Sequence, residues 1–301
     1  MRLHFKQYRF ATLCLAVFIL LCVITLVQSV RLGGNPHSAQ AFQLAMMGGT
    51  ISFLVTASGA LPALFIRKIP RPVEDTMLGL AAGMMLAASA FSLLPAGLEA
   101  ATELTASKAA GVAAVIFGMG LGAILMLSLE KLVPHMHSES DDATGSEGAF
   151  NTERVQRMWL FVFAIALHNL PEGMAIGVSF ARADMQVGLP LTTAIVMQNI
   201  PEGLVVALVL RSIGVSGIRS VLLAGATGLL ELFGALLGVG LTSGLAISYP
   251  IGLGFAGGAM IFIVSHEVIP ETHRNGYQRP ATIGLLAGFA LMMGLEALLG
   301  A

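Results

Sequence analysis

His168-Asn169-Leu170-Pro171-Glu172-Gly173 and Gln198-Asn199-Ile200-Pro201-Glu202-Gly203 are near-identical hexapeptides thirty residues apart. Each falls near the middle of an apolar stretch long enough to cross a bilayer. Carboxylates and imidazoles are costly at that depth and are kept there when a cation, a proton or a partner meets them.

The surrounding composition fixes the class. The 301 residues are 56% hydrophobic and 11% charged, with a mean hydropathy of +0.84. A soluble chain carries about 25% charged residues. The apolar runs are continuous rather than alternating, so the chain reads as an all-α polytopic membrane protein and not as a β-barrel. The net charge of −1 says nothing about partners, and no nucleic acid is expected. Cys14 and Cys22 both lie in the first apolar run, which excludes a disulfide framework.

Nine segments of about twenty residues or more are candidate spans: 10–30, 41–66, 75–98, 109–131, 157–181, 188–211, 217–241, 247–270 and 281–300. With the N-terminus in the cytoplasm, thirteen Lys and Arg fall inside and three (Arg31, Lys108 and Arg182) outside. That asymmetry is a positive-inside signal. The basic start at residues 1–10 followed by an apolar run resembles a signal peptide, but the run is long and Val27-Gln28-Ser29-Val30 is a poor cleavage site. The first helix is therefore expected to be retained. Residues 1–40 form a cytoplasmic stub, an extra helix and an outer linker, and residues 41–301 form the membrane domain. Residues 132–156 read as a flexible cytoplasmic loop rich in His and acid, holding His135 and His137.

An internal repeat runs through this domain. Leu78, Gly79, Ala81, Gly83, Met85 and Pro95 recur at one constant offset as Leu253, Gly254, Ala256, Gly258, Met260 and Pro270. The charge count gives the two copies opposite directions, as in the inverted repeats of transporters.

Helical spacing assembles the central chemistry. Residues i and i+4 share a face, so His168 aligns with Glu172 and Gln198 with Glu202. Asn169 and Asn199 lie about 100° round from these and border the same space. Pro171 and Pro201 cannot donate to the carbonyls of Leu167 and Met197, which frees two acceptors at mid-depth. Glu231 adds a third carboxylate in the seventh span. Imidazole with carboxylate suits Zn²⁺ and its first-row neighbours, and amide oxygens suit harder ions.

The pair of motifs in adjacent spans resembles the ZIP (Zrt/Irt-like) divalent-metal transporters, over residues 41–301. The resemblance implies an eight-helix bundle with inverted-topology repeats, here with an additional N-terminal transmembrane helix as in some bacterial members. It implies a binuclear site: His168, Glu172, Gln198 and Glu202 at one position, and Asn169, Asn199 and Glu231 at the other, with Glu172 and Glu202 bridging. It also implies a homodimer. Many members carry an acid where Asn199 stands and a His where Gln198 stands, so the second position is expected to bind more weakly.

Other polar residues mark the ends of a path. Ser89, Ser92 and Glu99 lie towards the outer end of the third span, and Glu99 reads equally as a cation collector or a solvated helix-end acid. Met85, deeper, reads as core packing before it reads as a soft ligand. At the inner end of the eighth span, His266, Glu267 and His273 are expected to release the ion, with His135 and His137 nearby.

The function expected is import of a divalent ion, Zn²⁺ first and Cd²⁺, Fe²⁺ or Mn²⁺ after it, into the cytoplasm across a bacterial inner membrane. No prosthetic group and no enzyme activity are expected. Transport is passive or ion-coupled, since no phosphate-binding Gly-x-x-x-x-Gly-Lys motif is present. The rival is a membrane-embedded metalloenzyme, an intramembrane hydrolase. Such an enzyme favours a His-Glu-x-x-His helix, which is absent. A proton-driven exporter of organic solutes is a third reading.

Overall fold

The computed structural model describes residue 20, residues 23–31, residue 34, and residues 39–132, 147–242, 245–274 and 276–299. His135 and His137 lie outside these. The structure is 89% helical, and among the described residues there is no strand.

Helix α1 comprises residues 23–31. The bundle follows with α2 (Ala39–Gly59), α3 (Arg71–Ala87), α4 (Leu94–Thr105), α5 (Lys108–Leu132), α6 (Glu147–Ser179) and α7 (Met185–Ser212). It is completed by α8 (Gly217–Thr227), α9 (Leu229–Leu241), α10 (Ser248–Ile263), α11 (Ile269–Arg274) and α12 (Gln278–Leu299). Among the described residues, seven helical stretches are long and apolar enough to cross a membrane, with α3–α4, α8–α9 and α10–α11 each acting as one span. The 33 residues of α6 reach about 50 Å at 1.5 Å per residue, more than a bilayer core needs. Helix α6 starts at Glu147, inside the stretch expected to be a loop over 132–156. Glu147–Gln156 extends the apolar helix that follows, so this part of the stretch is helical.

The repeat is visible in the backbone. A π-helical turn at Ala88–Leu93 joins α3 to α4, and another at Val264–Val268 joins α10 to α11. Each sits immediately before a proline, Pro95 or Pro270, whose ring clashes with the carbonyl four residues back. Widening that turn by one residue relieves the clash.

The close helix contacts follow the same repeat. A Cβ on Gly79 or Gly83 would overlap the carbonyl oxygens of Ala281 or Leu285 on α12. A Cβ on Gly254 or Gly258 would meet those of Val115 or Met119 on α5. Helix α3 is thus to α12 what α10 is to α5. An odd number of chain reversals separates α3 from α10, so the two copies run in opposite directions.

Candidate metal-binding site between the two hexapeptides

Helices α6 and α7 run through Pro171 and Pro201 without a break in either helix. Against them pack α2 and the α8–α9 span. That span breaks at Gly228 between α8 and α9, which places Glu231 in the first turn of α9. A carboxylate is favoured at a helix N-terminus, and broken helices at mid-membrane are a recurring way to build ion sites. The apolar composition of 217–241 runs unbroken across Gly228, so the break is not visible in the sequence.

The polar side chains form three hydrogen-bonded groups, the third being Asn169 with Thr227. In the first, the Gln198 amide donates to Glu172 Oε1 at 2.7 Å. In the second, Asn199 Nδ2 donates to Glu231 Oε2 at 2.7 Å and to Ser52 Oγ at 2.9 Å. The Thr56 hydroxyl donates to Glu231 Oε1 at 2.6 Å. Asn169 Nδ2 donates to Thr227 Oγ1 at 3.3 Å. Ser52, Thr56 and Thr227 were not singled out from sequence. The signal was there: Thr56 and Glu231 stand at the offset of the long repeat, so the two counterparts meet across the pseudo-twofold axis.

His168 sits differently from expectation. Its Nε2 lies 2.8 Å from Glu267 Oε2, from the π-helical turn after α10. Glu267, expected at the inner exit, therefore reaches the central site. The turn rotates it inward, out of register with the α-helical spacing that sequence reading assumes. His266, next along, is exposed and stacks on Phe262 with ring centroids 5.0 Å apart.

Burial sets the electrostatics. Glu172 and Glu231 are fully buried, and Glu202 is 8% exposed. Glu172 lies close enough to Glu202 and Glu231 for their charges to repel. Among the described residues, no Lys or Arg pairs with any of the three. Four oxygens from the hexapeptides are buried without a hydrogen bond: Asn169 Oδ1, Glu172 Oε2, Gln198 Oε1 and Asn199 Oδ1. All four are lone-pair donors, which a cation satisfies and an apolar or anionic group does not. Among the described residues no three His, Cys, Asp or Glu side chains converge on one point. The amides of Gln198 and Asn199 each hold one carboxylate, and Glu267 holds the imidazole.

The remaining candidates lie apart from this centre. Met85 is buried in the hydrophobic core. Ser89 Oγ bonds its own helix at the Met85 carbonyl. Ser92 Oγ donates to Glu296 Oε2 of α12 at 2.5 Å, a partner the sequence did not suggest. Glu99 is exposed. His273 is held by Thr272 and the Ile269 carbonyl, at the far end of α11 from Glu267.

Residues 144–296 match the family model described as ZIP Zinc transporter. The chain is 54% identical over 256 residues to the zinc transporter ZIPB of Bordetella bronchiseptica, an alignment covering 85% of this chain and 81% of that protein. It is 40% identical over 256 residues to the zinc transporter GufA of Myxococcus xanthus, covering 85% and 97%. It is 28% identical over 340 residues to the human zinc transporter ZIP11, covering 88% and 99%. All three are named as transporters, which sets aside the intramembrane hydrolase. The chain belongs to the ZIP zinc transporter family.

Proposed function

We propose that this protein imports Zn²⁺ into the cytoplasm through the site between the hexapeptides, by alternating access. The observation that carries this is three buried carboxylates with no cationic side chain paired to them among the described residues, beside three buried amide oxygens, of Asn169, Gln198 and Asn199, that accept no hydrogen bond. Uncompensated charge of that kind is tolerated in a membrane only when protons or a cation neutralise it. His168, Glu172, Gln198 and Glu202 form the stronger position, and Asn169, Asn199 and Glu231 the weaker. Glu172 and Glu202 lie between the two.

Each residue has a task. The glutamates supply charge, and His168 supplies the imidazole nitrogen that a borderline-soft ion prefers. Gln198 and Asn199 present carbonyl oxygens once their amide hydrogens stay on Glu172 and Glu231. Glu267 competes with the ion for His168: paired, it withdraws the imidazole; released, it frees the ligand. The ion must displace protons to load, so metal and protons compete. Ser92 and Glu99 lie on the approach, and His266 and His273 on the way out, with the basic loops facing the cytoplasm. We place the protein in a bacterial inner membrane as a homodimer. The relatives' names as zinc transporters support Zn²⁺ as cargo. Cd²⁺, Fe²⁺ and Mn²⁺ are rivals for the same ligands.

The test is uptake of Zn²⁺ into proteoliposomes by wild type and by Glu202→Ala. Loss of uptake in the variant is expected. Wild-type uptake in the variant rules out the assignment of the path.

A further inference from the structure

The repeat permits one half of the molecule to be compared with the other. Leu170, Met174, Leu237 and Phe255 pack together with Leu26 of α1. The second hexapeptide helix supplies Ile200 and Leu204 as counterparts of Leu170 and Met174, and the first copy of the long repeat supplies Pro62 and Leu80 for Leu237 and Phe255. In the first half-site Leu170 is 6% exposed; in the second, Ile200 is 52% exposed. The second set, with Ser58 and Met77, lines an open groove of about 430 Å³ between α2, α3 and α7. Its size falls within the range of small-molecule sites. Helix α1 fills one half-site by inserting Leu26, while the Ser29 hydroxyl donates to the Leu236 carbonyl. The other half-site has no such helix from this chain among the described residues.

The open groove leads to charge. Pro62, in its wall, is followed within nine residues by Arg67 and Lys68 on the loop from α2 to α3 and by Arg71 at the start of α3, all exposed. Phe65 on the same loop is 88% exposed. An apolar slot between membrane-crossing helices, continued in the chain by a basic, aromatic-bearing loop, matches the two ends of a lipid. A transmembrane helix fits the groove less well. Tight helix docking needs small residues facing outward, and Gly59 is already packed against the Ile200 backbone.

We propose that this groove binds one anionic phospholipid. An acyl chain lies along Leu80, Ile200 and Leu204, in the place Leu26 holds in the other half. The phosphate meets Arg67 and Lys68. The lipid thereby bridges α2 and α7, which carry Thr56 and Glu202, to α3. The proposal does not depend on which ion is carried.

The test uses the full chain, purified in detergent and stripped of lipid. Binding is read by native mass spectrometry and by thermal unfolding with dioleoylphosphatidylglycerol, dioleoylphosphatidylcholine or inorganic phosphate. Phosphatidylglycerol is expected to be retained as one tight copy and to raise the midpoint. Phosphatidylcholine is retained more weakly, and phosphate alone changes nothing. The Arg67→Gln/Lys68→Gln variant weakens phosphatidylglycerol retention on the order of thirtyfold, with the lipid-free midpoint unchanged. Ser58→Trp fills the groove and weakens retention of both lipids. Equal retention of the two lipids by wild type, an unaffected double variant, or a phosphate effect equal to the lipid's overturns the proposal. So does a disulfide between two Ser58→Cys copies in membranes, which makes the groove a subunit interface.

Discussion

Gly173→Ala tests how the site is held. A Cβ at Gly173 would lie 2.6 Å from both Cα and the carbonyl carbon of Glu231, closer still to its carbonyl oxygen. Ordinary contact begins near 3.4 Å, so α9 must retreat by at least about 0.8 Å, by subtraction. The obstacle is backbone, which cannot swing aside as a side chain does. Overpacking of this kind costs about 1–3 kcal/mol, equivalent to a fall in unfolding midpoint of roughly 2–12 °C. Glu231 rides on the displaced turn and moves off Thr56 and Asn199. Where geometry governs a step, a 1 Å error costs on the order of a hundredfold in rate. Zn²⁺ uptake is therefore expected to fall by between about tenfold and a hundredfold. Gly120→Ala is the control: a Cβ there meets nothing within 4 Å, and stability and uptake should stay at wild type. The assays are thermal unfolding in detergent and flux in proteoliposomes. If Gly173→Ala melts and transports as wild type does, the close seating of α6 on Glu231 is wrong.

Thr56→Val removes the hydroxyl donor to Glu231 while keeping the volume, and should destabilise the fold by about 1–3 kcal/mol, read by chemical or thermal unfolding. Asn199→Asp places a further acid beside Glu231; on the proposed two-position site, titration calorimetry should show a second ion binding more tightly than in wild type. Lowering the external pH should weaken Zn²⁺ binding, because protons and the ion compete for the same ligand atoms, and binding measured against pH should strengthen as pH rises. Glu267→Gln weakens the hold on His168 and should tighten Zn²⁺ binding while slowing its release, resolved by comparing binding affinity with flux.

The fold and the heart of the site were legible in the sequence for the same reason. Polar residues in an apolar helix stand out, and i, i+4 spacing assigns them a face. Pro95 and Pro270 betrayed the repeat because each forces the same π-turn. What escaped notice depended on contacts between distant segments. Ser52 and Thr56 look like ordinary membrane-helix hydroxyls until α2 is laid against α9. Glu267 reads from sequence as an exit residue, and its contact with His168, 99 residues before it, shows only once the turn after α10 is laid against α6. The break at Gly228 lies where α2 comes close: a Cβ there would stand 3.1 Å from Thr56 Cβ and 3.3 Å from Phe53 Cα. Glu296 was overlooked for want of a partner in sequence, since Ser92 lies 204 residues before it.

The central claim is that the cargo ion rests between the two hexapeptides. Diffraction from crystals soaked in Cd²⁺, with anomalous scattering used to locate the ion, tests it most directly. The strongest peak is expected among His168, Glu172, Gln198 and Glu202, with a weaker one near Asn199 and Glu231. Full-occupancy ions found only elsewhere in the molecule, with no peak between α6 and α7, would contradict it.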